Sequence, residues 1–154
     1  MMLNARDDRN AFDRWLECGG RQTLASYSPL DDQGSLVDVP AAHWQFLERD
    51  TRRFYETQTH FFVHANAYAD CLLDEQPDYM LFWESFGDPP PHYSGKTMVC
   101  GHTSQKSGIP RSVGHAVCID TWACGNGWLT CLDVAAGRYW QANEQGGTRT
   151  GWLE

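Results

Sequence analysis

Four short apolar stretches in the second half limit most tightly how this chain can fold: TMVCGH (97–102), HAVCID (115–120), WLTCLDV (128–134) and RYWQA (138–142), separated by Gly-rich or polar turns. Runs of this length bounded by turn chemistry read as strands. Ala136-Gly137 lies between the last two and predicts a closing hairpin. Upstream, RRFYETQTHFFVHAN reads as two further strands joined by a tight polar turn at Thr57 to Thr59. The second of these carries an unbroken Phe61-Phe62-Val63 run, and an apolar run without alternation predicts a strand covered on both faces. Leu72 to Phe86 reads as helical or irregular, while DPPPHYSG (88–95) is irregular because its three prolines remove donors and fix φ.

The first third has a different period. Phe12, Trp15 and Leu16 stand at i, i+3 and i+4 within Asp8 to Cys18, and Gly19-Gly20 follow where a helix needs a left-handed stop. Ser26 to Asp38 holds SPLDDQGS, a turn-rich loop. Pro40 then opens AAHWQFLERD, a short helix that turns Trp44 and Leu47 inward. Helices early and mostly strands late predict an α/β fold, a layered sheet with helices on its outer faces, with residues 1–154 as a single domain.

Charge and cysteine usage narrow the partners and the compartment. A net charge of -8 lacks the clustered Lys and Arg that a phosphate backbone requires, which argues against a nucleic-acid partner. No stretch reaches the roughly 20 apolar residues of a membrane span, and MMLNARDDRN has no apolar leader segment, so the expected location is cytoplasmic. The six cysteines, Cys18, Cys71, Cys100, Cys118, Cys124 and Cys131, include no C-x-x-C pair and read as buried thiols. A zinc site built on Cys100, Cys118, Cys124 and Cys131 fails on spacing. A serine nucleophile lacks a G-x-S-x-G elbow.

Two of the six histidines share one context. His64 in FFVHAN and His102 in MVCGHTS each follow an apolar strand and are flanked by small residues. Ligands collect at the carboxyl ends of strands in open α/β sheets, because the loops there diverge. Two such strands side by side aim two imidazoles into one crevice, and neutral imidazole suits zinc, manganese or iron. His43, His60, His92 and His115 lack this context and read as surface or structural residues.

GKTMVCGHTSQKSG, followed by CIDTWACGNGWLTCLDV, resembles the C-terminal block of the calcineurin-like metallophosphoesterase superfamily, in particular its bacterial-type serine/threonine phosphatases. The family pattern is an apolar strand ending in G-H-T, then I-D-T-G-A, a glycine pair and L-T-A-L-D-L. FFVHAN resembles its F-V-H-A-G strand, and WLECGGRQTLASY its W-L-x-x-G-G-x-x-T-L-x-S-Y segment. The resemblance implies the C-terminal part of a four-layer αββα sandwich. It also implies a pair of divalent ions, commonly manganese with iron or zinc as alternatives, and a metal-bridged hydroxide that attacks a phosphomonoester. His64 and His102 match two ligands of the second ion. The implied substrate is a phosphoserine or phosphothreonine protein or a small phosphoester; symmetrical bis(5'-nucleosyl)-tetraphosphatases share these motifs.

The family's G-D-x-H-G, G-D-x-x-D-R-G and G-N-H-E motifs are absent, so the resemblance implies that the metal-motif half is missing and that a truncated, non-catalytic remnant needing a partner is an alternative. The catalytic acid is therefore not assigned to any residue. Ser85 follows Trp83 where relatives place a phosphate-binding arginine, leaving Arg111 or Lys106 as candidates for substrate binding, and Asn66 replaces the usual glycine after H-A.

Overall fold

The structure is a computed structural model that describes residues 1–28 and 34–154. The described residues group into two compact units, Met1–Arg52 and Arg53–Glu154. The fold is mixed α/β, with helices early and sheets later.

Among the described residues the first unit holds four short α-helices, α1 (Met2–Asp7), α2 (Arg9–Trp15), α3 (Arg21–Tyr27) and α4 (Ala41–Gln45). Asp8 caps α2, its carboxylate accepting from the Ala11 N–H at 3.0 Å. The helix expected over Asp8 to Cys18 is present. Beyond Trp15 the chain stays helical at Leu16 and then kinks at Cys18 (φ -102°, ψ 34°) and Gly19, whose φ of +94° supplies the left-handed stop before α3 begins. Trp15, Leu24, Ala5 and Val39 form the buried centre, with Phe12, Leu16 and Trp44 partly buried against it. In the SPLDDQGS stretch, residues 29–33 lie outside the described ones. Ser35 and Asp38 on its far side close a reciprocal capping box on a 3-10 turn, Leu36–Asp38.

The second unit carries the strands. β1 (Phe54–Glu56) and β2 (His60–Val63) form the expected hairpin, closed by the Thr57 N–H donating to His60 O at 2.8 Å. β2 runs parallel to β3 (Thr97–Cys100), and β3 parallel to β5 (Ala116–Cys118). The edge strand β4 (Arg111–Ser112) is antiparallel to β5, so the sheet order is β1-β2-β3-β5-β4. Between β2 and β3 the chain forms a 3-10 turn, Leu73–Glu75, and helix α5 (Asp78–Trp83). Phe61, Val63, Met98, Cys100, Ala116 and Cys118 pack on one side of the sheet with Leu81 and Phe86, both 0 % exposed. Burial on both faces holds for β3 and β5, where Val99 and Val117 are also buried. In β2 it holds for one face only, because Phe62 is half-buried.

A three-stranded antiparallel meander follows: β6 (Leu129–Asp133), β7 (Arg138–Ala142) and β8 (Thr148–Trp152). The hairpin at Ala136-Gly137 is real, with Gly137 at φ +70° and the Asp133 carboxylate accepting from Ala135 and Ala136 N–H groups. Tyr139 and Gln141 face inward, and Trp140 and Trp152 are exposed. No helix among the described residues is long and apolar enough to cross a membrane.

Candidate metal centre

His64 directly follows β2, and His102 lies two residues past the end of β3. The parallel register aligns Phe62 with Val99, so both imidazoles leave the sheet at the same edge. The Gly101 N–H donates to His64 O at 2.9 Å, which ties the two strand exits together. A Cβ at Gly101 would sit 3.6 Å from His64 O and 3.8 Å from the Asp120 Cβ, so this glycine is where the two strand exits and the end of β5 converge.

The rings meet. His64 Nε2 lies 3.2 Å from His102 Nδ1, with ring centroids 5.0 Å apart. The other nitrogen of His102, Nε2, donates to the Trp83 carbonyl at 3.1 Å, because a carbonyl oxygen only accepts. In the neutral ring this leaves the Nδ1 lone pair facing His64, the arrangement in which an outer partner fixes the tautomer of a metal-ligating histidine. The Trp83 indole stands edge-on beside His102, centroids 6.2 Å apart.

His102 adopts φ +63°, a conformation costing a non-glycine residue about 1–2 kcal/mol. Its turn is held from several sides. Thr103 N–H donates to Gly101 O at 2.6 Å. The Cys118 thiol lies 3.4 Å from Gly101 O and 3.3 Å from Thr103 O, and the Gln105 side chain donates to Thr103 O at 2.6 Å. Backbone strain over-determined in this way is typical of functional sites. The only other non-glycine residue with positive φ among the described residues is Trp122, at 66°, on the loop after β5.

His64 is exposed as a residue, yet its ring is partly shielded. Loss of hydration and the neighbouring His102 hold its pKa below the ordinary imidazole value, while the Asp120 carboxylate opposes them. Asp120 lies two residues past β5, as His102 lies two past β3, and accepts from the Ser104 hydroxyl at 3.2 Å and the Trp122 N–H at 3.0 Å. Beneath the crevice, Cys100 and Cys118 are register partners, both buried. The hydrogen bond between them lowers the pKa of the Cys118 thiol and raises that of Cys100.

The expected pair is therefore brought together; the other candidates are not. Arg111 is exposed on β4 with its guanidinium 5.4 Å over the Phe86 ring, and Lys106 sits 5.8 Å over Trp122. Among the described residues no hydrogen bond or ion pair joins either to the histidines. The four remaining histidines have local partners: His43 with Tyr27, His60 with Thr59, His92 with Ser94 and Cys71 O, and His115 with Pro89 O. Of the cysteines read as buried, only Cys100 and Cys118 are; Cys18, Cys124 and Cys131 are exposed and Cys71 intermediate. Apolar neighbours in sequence did not bury the others: Cys131 takes an outward position of β6, Cys18 lies at the kink after α2, and Cys71 and Cys124 lie in a bend and a turn. Asp120 and Trp83 escaped the sequence reading, although HAVCID carried the same strand-end signal as FFVHAN.

The donor set fits one edge of a metal site. Two imidazole nitrogens 3.2 Å apart are spaced as cis ligands of one ion, given metal–nitrogen bonds of about 2.1 Å. It does not fit a pair of ions, because among the described residues no cluster of three or more His, Cys, Asp or Glu side chains is placed to hold a metal. The chain matches no known family profile, no curated protein and no solved structure.

Proposed function

We propose that His64 and His102 form one edge of a divalent-metal centre serving phosphomonoester hydrolysis, in a chain related to the C-terminal part of the calcineurin-like metallophosphoesterase sandwich. The observation that carries this reading is the 3.2 Å approach of His64 Nε2 to His102 Nδ1 at the carboxyl ends of adjacent parallel strands. Bound there, manganese, zinc or iron supplies Lewis acidity toward a phosphoryl oxygen and lowers the pKa of water. The chain's own contribution is orientation. The Trp83 carbonyl holds the hydrogen of His102 on Nε2, which leaves the Nδ1 lone pair toward His64, and partial shielding together with His102 holds the His64 pKa below the ordinary imidazole value, which favours its neutral, ligating form. The substrate in this reading is a phosphoserine or phosphothreonine protein, and the free thiols support a reducing, cytoplasmic setting.

The donor count favours a second reading, in which the chain binds a partner that supplies the remaining ligands. Calorimetric titration with Mn²⁺ and Zn²⁺, paired with turnover of a phosphopeptide and of diadenosine tetraphosphate, separates the two. Binding of one ion per chain with phosphopeptide turnover supports the enzyme, and preferential tetraphosphate cleavage redirects its substrate. Binding without turnover supports the partner reading. Binding that survives in a His64→Ala, His102→Ala double variant refutes the site.

A further inference from the structure

We propose that Asn66 and Thr103 are positioning residues that fix the mutual orientation of His64 and His102 through one shared segment, Trp83–Phe86. Asn66 lies two residues after His64 and is 6 % exposed. Its Nδ2 donates to Ser85 O at 2.8 Å and Phe86 O at 3.4 Å, while its Oδ1 accepts from the Ala67 N–H at 2.8 Å. Thr103 lies one residue after His102, and its hydroxyl oxygen accepts from the Phe86 N–H at 2.7 Å. The same segment begins with the Trp83 carbonyl that receives His102 Nε2.

Segment 83–86 is thus a strap tied to both histidine turns. From the His64 side it is held by Asn66, and the carbonyls near the end of α5 accept from the backbone immediately after His64, Ala65 N–H to Leu81 O at 2.8 Å and Asn66 N–H to Met80 O at 3.0 Å. From the His102 side it is held by the Thr103 hydroxyl. These bonds decide where the Trp83 carbonyl stands, and that carbonyl decides which nitrogen of His102 carries hydrogen and which faces His64. His102 is left-handed, so its turn relaxes readily once a tether is lost. The sequence signal is Asn66 itself, a polar side chain where the resembled pattern has glycine. A glycine there has no side chain to hold the strap.

The inference rests on the metal-centre reading only for its affinity readout; its primary readout needs no ion. In the chain labelled with ¹³C,¹⁵N-histidine, NMR reads the His102 tautomer and the cross-ring contact to His64. Thr103→Val and Asn66→Leu are expected to lose the cross-ring contact and mix the His102 tautomers, and each to weaken Zn²⁺ binding by about 10-fold or more. Thr103→Ser retains the hydroxyl and restores both. The double variant is expected to fall less than the product of the single effects, because both act through one strap. Unchanged tautomer and ring contact in folded Thr103→Val or Asn66→Leu, or a Thr103→Ser that behaves like the valine variant, overturns the proposal. If both variants fail to fold, the side chains belong to the core and the proposal is likewise overturned. A wild-type chain that shows the ring contact but binds no Zn²⁺ refutes the metal centre and leaves the positioning result standing.

Discussion

Gln141 gives the sharpest test of how the meander supports the crevice. It is 3 % exposed, and its amide hydrogens reach Gly108 O at 2.9 Å, Thr130 Oγ1 at 2.7 Å and, at longer range, Thr121 Oγ1 at 3.3 Å. Its Oε1 accepts from Arg149 Nε at 2.6 Å. Thr121 stands between Asp120 and Trp122, so this cluster anchors the loop on the rim of the histidine crevice. In Gln141→Leu most partners keep an alternative: Gly108 O retains Arg149, and the Thr121 and Thr130 hydroxyls retain each other at 2.5 Å. Arg149 Nε loses its protein partner, but Arg149 is exposed, with its guanidinium carbon 4.2 Å from the centre of the Trp128 ring, so water takes part of that place. Losing one charge-assisted bond that water partly replaces costs about 1–1.5 kcal/mol, and the compensated neutral bonds add up to about 1 kcal/mol. The expected destabilisation is therefore about 1–2 kcal/mol, after Leu recovers part of it by apolar burial. Urea unfolding followed by tryptophan fluorescence measures it. Because the largest single part of the cost resides in the Gln141–Arg149 bond, Gln141→Leu combined with Arg149→Met should be at least about 0.5 kcal/mol less destabilised than the sum of the single variants. A loss below about 0.5 kcal/mol, or strict additivity, would refute this assignment of the energy.

Other parts of the second unit respond in defined ways. His64 has a lowered pKa when folded, so across the window from its folded pKa up to the ordinary 6.5 the unfolded chain binds more protons and stability rises with pH. Melting temperature should accordingly fall on acidification below about pH 6.5, and His64→Gln should flatten that limb; a variant with the same slope would show that other groups carry it. A thiol reagent should modify Cys18, Cys124 and Cys131 in the native chain, Cys71 more slowly, and Cys100 and Cys118 only on unfolding. Rapid native labelling of Cys118 would contradict its 0 % exposure. Gly101→Ala places its methyl at ordinary contact distances, and stability should stay within about 0.5 kcal/mol of the wild type; a larger loss by denaturant titration would show that the junction of His64 and Asp120 is tighter than those distances imply.

The second half was legible where burial and backbone period coincide. TMVCGH and HAVCID became β3 and β5, with both faces covered, as continuous apolar runs demand. β8 was not foreseen because TRTGW lacks apolar alternation. It forms through its register with β7, where Gly151 opposite Tyr139 leaves room that a Cβ would fill, 2.3 Å from the tyrosine hydroxyl. β4 is only two residues long and is defined by its pairing with β5 rather than by its own pattern. In the first unit the glycine stop was legible: the backbone leaves helical geometry at Cys18 and Gly19, the glycine expected to end the helix.

The site shows the same division more sharply. Two histidines after apolar strands could be paired in advance because parallel neighbours share an edge, and a one-residue pattern at each strand end marks who arrives there. What orients them could not be paired in advance. Trp83 acts through its carbonyl, Asn66 and Thr103 grip the backbone of residues 85 and 86, and Cys118 lies against backbone carbonyls on either side of His102. Backbone acceptors carry no residue identity, so their partners leave no recurring spacing in a single sequence. Polar residues at strand exits, such as Asn66 and Thr103, are the trace such a scaffold leaves: both sit one or two positions past a histidine, where a side chain that reaches a neighbouring segment converts two flexible exits into one rigid edge.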